Sequence, residues 1–561
     1  MTKNKGFLLL TVLAVFSFVL AACGFGGDTA EKPKEDNNDA GTTETTAPKE
    51  LNLIIPSEPP SLHPQLATDT TSGAILMNVF EGLTRLNDDT KPEAAIAESW
   101  VISDDQLTYT FKLRDAVWSN GDPVVASDFV YAWKWGLDPN NISEYASILY
   151  SIKGGEAYNT YDTKNGSEEE FTKLGEALGV TAEDDKTLVV TLENPTPYFL
   201  ELTAFKTYLP INQKVAEGND KWYTNADENY VTNGPFKLDS WKHDNSIVLK
   251  KNTDYWDAES VALETVNIGM VEDETTAATM FKAGEIDYLG TPYQTVALDA
   301  IDGFKADGSL QIVDYAGIYN YKLNTKDKFT GNANIRKALT LAMDRQTLID
   351  NITKGEQKVA LGMVPTAISG FEEDRGYFKD NDMEGAKAAL EAGMKELGIT
   401  NPKDISITIS YNNSDAHAAV AQFIQEGWNK NLGITVGLDN AEWQVYLEKL
   451  NMMDYQAGRL GWIADYNDAY TFLEMYSTAD NGNNDTGWEN PEYKALMKQS
   501  VAETDPAKRL EIMKKAESIA VAEFPVAPIY YYTNLYVKNE KVSNMFPNAL
   551  GDIQLKSVDI K

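Results

Sequence analysis

The sequence predicts a large α/β protein, and three features carry that reading. Strand-like and helix-like periodicities alternate along the whole body. The chain of 561 residues is 43% hydrophobic and 11% aromatic, enough to fill a sizeable core. Only its first twenty or so residues hold a long apolar run. At roughly 100–200 residues per domain there is room for about three or four domains.

At the N-terminus, Lys3 and Lys5 precede an uncharged apolar run from Phe7 to Leu20, short for a bilayer span and with the charged start of a secretory signal. Residues 1–22 are expected to be a signal peptide. The run ends in Leu20-Ala21-Ala22-Cys23-Gly24, which resembles the lipobox of bacterial lipoproteins, so Cys23 is the expected lipidation site. It is the one cysteine of the chain, which excludes an intramolecular disulfide and cysteine-based metal sites. From Cys23 to Glu50 large apolar residues almost vanish, as in Asp36-Asn37-Asn38-Asp39, and residues 23–50 read as a flexible tether.

In the body, strands are expected at Leu51–Ile55, Thr108–Leu113, Thr187–Leu192, Ile405–Tyr411 and Ile529–Val537. In the second of these Tyr109, Phe111 and Leu113 share one face by the two-residue period. Helices are expected where Ile335, Leu339, Ala342 and Met343 recur behind an Asn334 cap. A second falls where Val420, Phe423, Ile424 and Trp428 recur before a Gly433 stop.

The net charge of -36 disfavours nucleic-acid backbones and flat binding to anionic lipid. From Leu51 onward 78 acidic residues face 44 basic ones, so the surplus belongs to the folded body. With three histidines, and without a Gly-Lys phosphate loop, a His-Glu-x-x-His zinc motif or a Gly-x-Ser-x-Gly elbow, common enzyme routes are unsupported. No cofactor and no metal is expected. Asn481, Asn483, Asp485 and Glu492 have calcium-loop spacing, but Thr486 stands where the loop needs glycine, so a polar loop is expected.

Several stretches resemble the oligopeptide-binding lipoproteins of ABC importers, the family 5 extracellular solute-binding proteins. They are Ala97–Trp100, Tyr109–Val124, Asp128–Trp133, Asn233–Phe236, Gly284–Asp287 and Asn334–Leu339. The resemblance spans the body from about Leu51 to the end. It implies a periplasmic-binding-protein-like fold of class II, cluster C, with two lobes and an additional inserted domain that close about a hinge. The implied division is a discontinuous domain I of residues 51–80, 205–316 and 534–561, an inserted domain II of 81–204, and a domain III of 317–533.

The segment Arg459-Leu460-Gly461-Trp462-Ile463-Ala464-Asp465 resembles the family's ligand loop. By that resemblance Asp465 accepts a peptide's ammonium, Gly461 exposes backbone, Trp462 walls a side-chain pocket, and Arg459 lies beside the site and helps hold the carboxylate ionised. Trp443 matches a second pocket tryptophan, Tyr145 and Tyr532 match ligand-contacting tyrosines, and His417 aligns with a histidine at the far end of longer ligands. The pattern departs where basic residues are replaced by Leu450 and Asn451, and acidic ones by Thr68 and Lys322. The clamp for the peptide's C-terminus therefore does not transfer, and Lys322 or His417 is a candidate replacement.

The expected function is a monomeric, lipid-anchored receptor on the outer face of the cell membrane of a bacterium of Gram-positive type. It captures oligopeptides and delivers them to ABC transporter permease subunits, without covalent chemistry. A receptor for one signalling peptide, or for di- or tripeptides, is the alternative within the fold. A cell-surface enzyme acting on wall peptides is the alternative from another class.

Overall fold

The computed structural model describes residues 48–372 and 374–561. The signal peptide, Cys23 and all but the last residues of the tether lie outside the described residues. Among those described, no helix is long and apolar enough to cross a membrane.

Three main sheets organise the body. In the first, Glu50–Ile55 runs parallel to Thr265–Met270, which continues antiparallel through Ser246–Lys251 to Phe236–Lys242. The second is antiparallel and local in sequence: Ala97–Ile102, Thr108–Leu113, Thr187–Thr191 and Val180–Asp184, in that spatial order. The alternation of Tyr109, Phe111 and Leu113 reads out here as burial of all three. Both sheets feed one apolar core that holds Leu53, Phe111, Trp118, Trp133, Leu188 and Val266. The matched Trp118 and Asp128 are partners: the indole donates to Asp128 Oδ2 at 2.9 Å while the same oxygen accepts from Val125 N at 3.1 Å. That carboxylate fixes the start of the helix Ala126–Leu137.

The third sheet is mixed and has eight strands. Its spine is two thirteen-residue strands, Gln311–Leu323 and Val526–Lys538, running antiparallel. Beyond the first lie Ala457–Arg459, Ser406–Asn412 and Thr435–Ala441, the last two pairing in parallel. A second core, with Ile335, Leu339, Ile407, Trp428, Tyr493 and Ile529, fills the space between this sheet and its helices. The spine is not continuous: Asp314 faces Thr533 and Ile318 faces Tyr531, so three residues of one strand oppose Tyr532 alone.

The helix expected at Asn334 begins two residues earlier. Asn332 is the cap, its Oδ1 accepting from the amides of Asn334 and Ile335, while the Asn334 side chain donates to Glu396. The helix Asp415–Leu432 ends at Gly433 in the left-handed region (φ 69°), and Ser414 caps its start.

Candidate functional site

The site grows from the spine of the third sheet. Arg459 pairs opposite Tyr321 on the first long strand; the chain then leaves the ladder at Leu460 and Gly461 and returns with Trp462 opposite Ile318 and Ile463 opposite Gly317. The excursion needs a glycine. A Cβ at residue 461 would lie 2.4 Å from the Tyr532 hydroxyl and 3.0 Å from the Ile318 carbonyl oxygen. Beside this loop opens a cavity of about 640 Å³, within the usual range of ligand sites. All eight residues singled out from the sequence, Asp465, Trp462, Gly461, Arg459, Trp443, Tyr145, Tyr532 and His417, line it.

Asp465 is held at one wall by a small hydroxyl network. Thr471 Oγ1 donates to Asp465 Oδ2 at 3.2 Å and accepts from the Asp465 amide at 3.3 Å, and the Tyr145 hydroxyl approaches Oδ1 at 3.4 Å. Tyr145 also lies parallel to Trp462, with ring centroids 6.0 Å apart. Burial pushes the carboxyl up to about 6, against the opposing pull of Lys206, Thr471 and Tyr145.

Arg459 is not the cation beside Asp465, contrary to the expectation from the ligand loop. Its guanidinium donates to the Tyr532 hydroxyl at 3.0 Å and to Asn412 Oδ1 at 3.3 Å, and lies over the Tyr319 ring at 4.9 Å. Its strand turns the side chain toward those groups, and the cation that pulls on Asp465 is Lys206. Among the described residues it has no carboxylate at ion-pair distance, and its Nε is buried without a partner. Burial, helped by the same guanidinium, holds His417 well below its ordinary value, so the imidazole is neutral. His417 Nδ1 sits 3.3 Å from the Tyr319 hydroxyl. Trp443 opens the helix Trp443–Asn451 and stacks on Tyr446.

Lys322 is no clamp. It is buried and spent on Asp485 at 2.5 Å and on the Asn483 carbonyl at 2.7 Å. The calcium-spaced side chains do not converge either: Asn483 donates to the Glu144 carbonyl and Glu492 pairs with Lys515.

Sequence reasoning missed several cavity residues. Lys206, 6% exposed, lies over the rings of Phe205 at 4.0 Å and Tyr145 at 4.5 Å. A signal existed, since it is the only charge between Glu201 and Lys214. Glu144 and Glu274 were also missed. Asn451 donates to Glu144 at 2.7 Å and Ser414 to Glu274 at 2.6 Å, while Ser147 donates to Glu474 at 3.2 Å. Each of these bonds ties residues before the first long spine strand to residues after it. Nine carboxylates line the cavity against the two permanent cations Lys206 and Arg459, which favours cationic over anionic contents.

A wide cavity enclosed by distant parts of one chain, with an acid on one wall and an unpaired guanidinium on another, has the form of a solute receptor. Residues 91–484 match the bacterial extracellular solute-binding proteins, family 5, and the chain belongs to that family. It is 49% identical over 561 residues to the oligopeptide-binding protein OppA of Bacillus subtilis, covering all of both chains. Among solved structures, Listeria monocytogenes OppA bound to peptide superposes with a TM-score of 0.83 at 31% identity, covering 92% of this chain and 100% of that one. The murein tripeptide-binding protein MppA of Escherichia coli gives 0.84 at 28% identity, covering 92% and 99%. Its unliganded open form gives 0.61 at the same identity, covering 92% and 98%. With sequence and coverage matched, the fall from 0.84 to 0.61 reflects how the parts are arranged, and the present structure shares the arrangement of the peptide-bound relative.

Proposed function

We propose that the protein is an extracytoplasmic oligopeptide receptor, anchored through a lipid on Cys23, that delivers peptides to the permease of an ABC importer as a monomer and performs no covalent chemistry on them. The carrying observation is the cavity itself, which gathers Asp465, Arg459 and four aromatic walls at Tyr145, Trp443, Trp462 and Tyr532. Asp465 takes the peptide's ammonium, since a desolvated cation needs an opposite charge at close range. Arg459, partly buried and without a carboxylate partner among the described residues, is the natural partner for a ligand carboxylate or a line of carbonyls. The polypeptide between these charges is held through main-chain hydrogen bonds at the Gly461 excursion.

Domain I of residues 51–80, 205–316 and 534–561, the inserted domain II of 81–204 and domain III of 317–533 then act as closing bodies. The hinge falls where the register of the two long strands breaks, between Asp314 and Ile318 opposite Tyr532. Hydrogen bonds from Ser414 to Glu274, from Ser147 to Glu474 and from Asn451 to Glu144 would latch the closed state.

Native mass spectrometry of the purified protein tests the reading. A ladder of co-purifying peptide masses is expected. A protein that carries no peptide and takes up none from a tryptic digest overturns it.

A further inference from the structure

The helix Trp443–Asn451 turns one face to the cavity: Trp443, Leu447 and Asn451 stand four residues apart, and all three line it. Over about 12 Å that face passes from an indole through an aliphatic side chain to a polar end. Leu460 lines the cavity too and, like Trp443, packs on the small apolar cluster of Tyr446, Leu450 and Tyr455. At the polar end stands Glu144. Its Oε1 accepts from Asn451 Nδ2 at 2.7 Å, while among the described residues its Oε2 has no protein partner and no cation stands at ion-pair distance. The main chain of Glu144 is fixed as well. Asn483 Nδ2 donates to its carbonyl at 3.3 Å, and a Cβ at residue 482 would lie 2.6 Å from that oxygen, so the approach needs Gly482. The ion pair beside it brings no free cation: Asp485 lines the cavity, whereas Lys322 does not and is held by Asp485 and the Asn483 carbonyl. An apolar strip thus ends on a carboxylate with one oxygen to spare.

We propose that this helix face and Glu144 form a subsite for a basic side chain of the peptide, lysine or arginine, whose stem lies along Trp443, Leu447 and Leu460 while its cation reaches Glu144. The inference rests on the reading of the protein as an oligopeptide receptor. It concerns the liganded arrangement, which this structure shares with the peptide-bound relative. Long basic side chains join an apolar stem to a charged head, and the strip and its carboxylate match that order. An apolar side chain of the same length would fill the strip and leave Glu144 unmatched. An acidic one would meet two like charges, Glu144 and Asp485, so the subsite selects by repulsion as well as by attraction. Burial and the nearby Asp485 hold the Glu144 carboxyl up to about 7, so at pH 8 it is ionised and ready for a cation.

Isothermal titration calorimetry of the mature chain at pH 8 tests this, with pentaalanine and with peptides in which lysine or norleucine replaces each alanine in turn. Norleucine keeps the stem and lacks the ammonium. At one position, norleucine is expected to bind more tightly than alanine, and lysine roughly tenfold more tightly than norleucine. In Glu144→Gln, whose amide oxygen can still accept from Asn451, the lysine-to-norleucine ratio at that position should fall to about one. A weakened contact between the lobes would lower both peptides alike and leave the ratio unmoved. Asn451→Arg, which sets a guanidinium beside Glu144, should abolish the ratio too, and it carries the comparison should Glu144→Gln fail to melt cooperatively. A lysine preference at no position, an equal preference at all five, or a preference that survives both substitutions overturns the subsite. If the wild type binds pentaalanine while any of these holds, only the subsite fails. If it binds none of these peptides and takes up none from a tryptic digest, the receptor reading fails and the subsite with it.

Discussion

The hydroxyl of Tyr145 comes within 3.4 Å of Asp465 Oδ1 although 320 positions separate the two in sequence. The same ring is parallel to Trp462 and has the Lys206 ammonium over it. One phenol therefore meets the acid, the aromatic wall and the buried cation. Tyr145→Phe keeps the ring and removes the donor. It is expected to weaken peptide affinity by about 1 kcal/mol, the usual worth of a hydrogen bond to a charged group at this long distance, without lowering the melting temperature by more than a few degrees. Calorimetry with a free-amine peptide, beside a thermal melt, checks both parts.

Arg459 gives a prediction with opposite signs in two assays. Its guanidinium is partly buried with no carboxylate partner among the described residues, so desolvation is only partly offset by Tyr319, Tyr532 and Asn412. Arg459→Met should leave the empty receptor as stable as wild type or more so, because an uncompensated charge is removed. Affinity for peptides with a free C-terminal carboxylate should fall by about 2 kcal/mol, and C-terminally amidated peptides should change little. Equal losses for both peptide classes would rule out a charge-specific role.

At Gly461 the constraint is steric. A methyl group there would lie 2.4 Å from the Tyr532 hydroxyl, closer than Cβ atoms come to a neighbour, and crowd the Ile318 carbonyl oxygen at 3.0 Å. Gly461→Ala should cost about 1–3 kcal/mol of stability and displace Tyr532 from Arg459. Differential scanning calorimetry measures the first, and loss of affinity in excess of the Tyr532→Phe variant measures the second.

Much of the fold was legible because its signals are local. The alternation of Tyr109, Phe111 and Leu113 marks a strand face, and Gly433 marks a helix end, because each requirement is met within a few residues. The cap of the helix Ala333–Leu341 was misplaced by two positions because Asn332 and Asn334 are chemically alike; only the amide geometry tells them apart. The ligand loop was legible through resemblance, and the eight residues do share one cavity. What sequence could not yield is which charge neighbours which. Arg459 and Asp465 are six positions apart, yet the ladder turns them to different surroundings. Lys206 is remote in sequence from Asp465 and close to it in the fold. Lys322 was a candidate clamp until its burial against Asp485 showed its charge already spent.

Proton linkage follows from the buried acids. Burial holds Asp465 and Asp552 at about 6, and Glu144 and Glu474 at about 7. In the unfolded chain such groups titrate near about 4. Between roughly pH 4 and 7 the folded empty receptor thus binds more protons than the unfolded chain. The contribution of these groups to stability therefore falls as pH rises through that window. The empty protein should melt at a higher temperature at pH 5.5 than at pH 8. A ligand ammonium reverses the shift at Asp465, so binding at pH 6 should release protons, visible as a buffer-dependent enthalpy in calorimetry. An enthalpy independent of the buffer would contradict this.

The central claim, that Asp465 captures the ammonium of a peptide, is tested most directly by comparing a free-amine peptide with its N-acetylated form on wild type and Asp465→Asn at pH 7.5. The expected result is a loss of about 2 kcal/mol or more on acetylation in wild type, the same loss for the free peptide in Asp465→Asn, and little further change when both are combined. Equal binding of the free and acetylated peptides by the wild-type receptor would contradict the account.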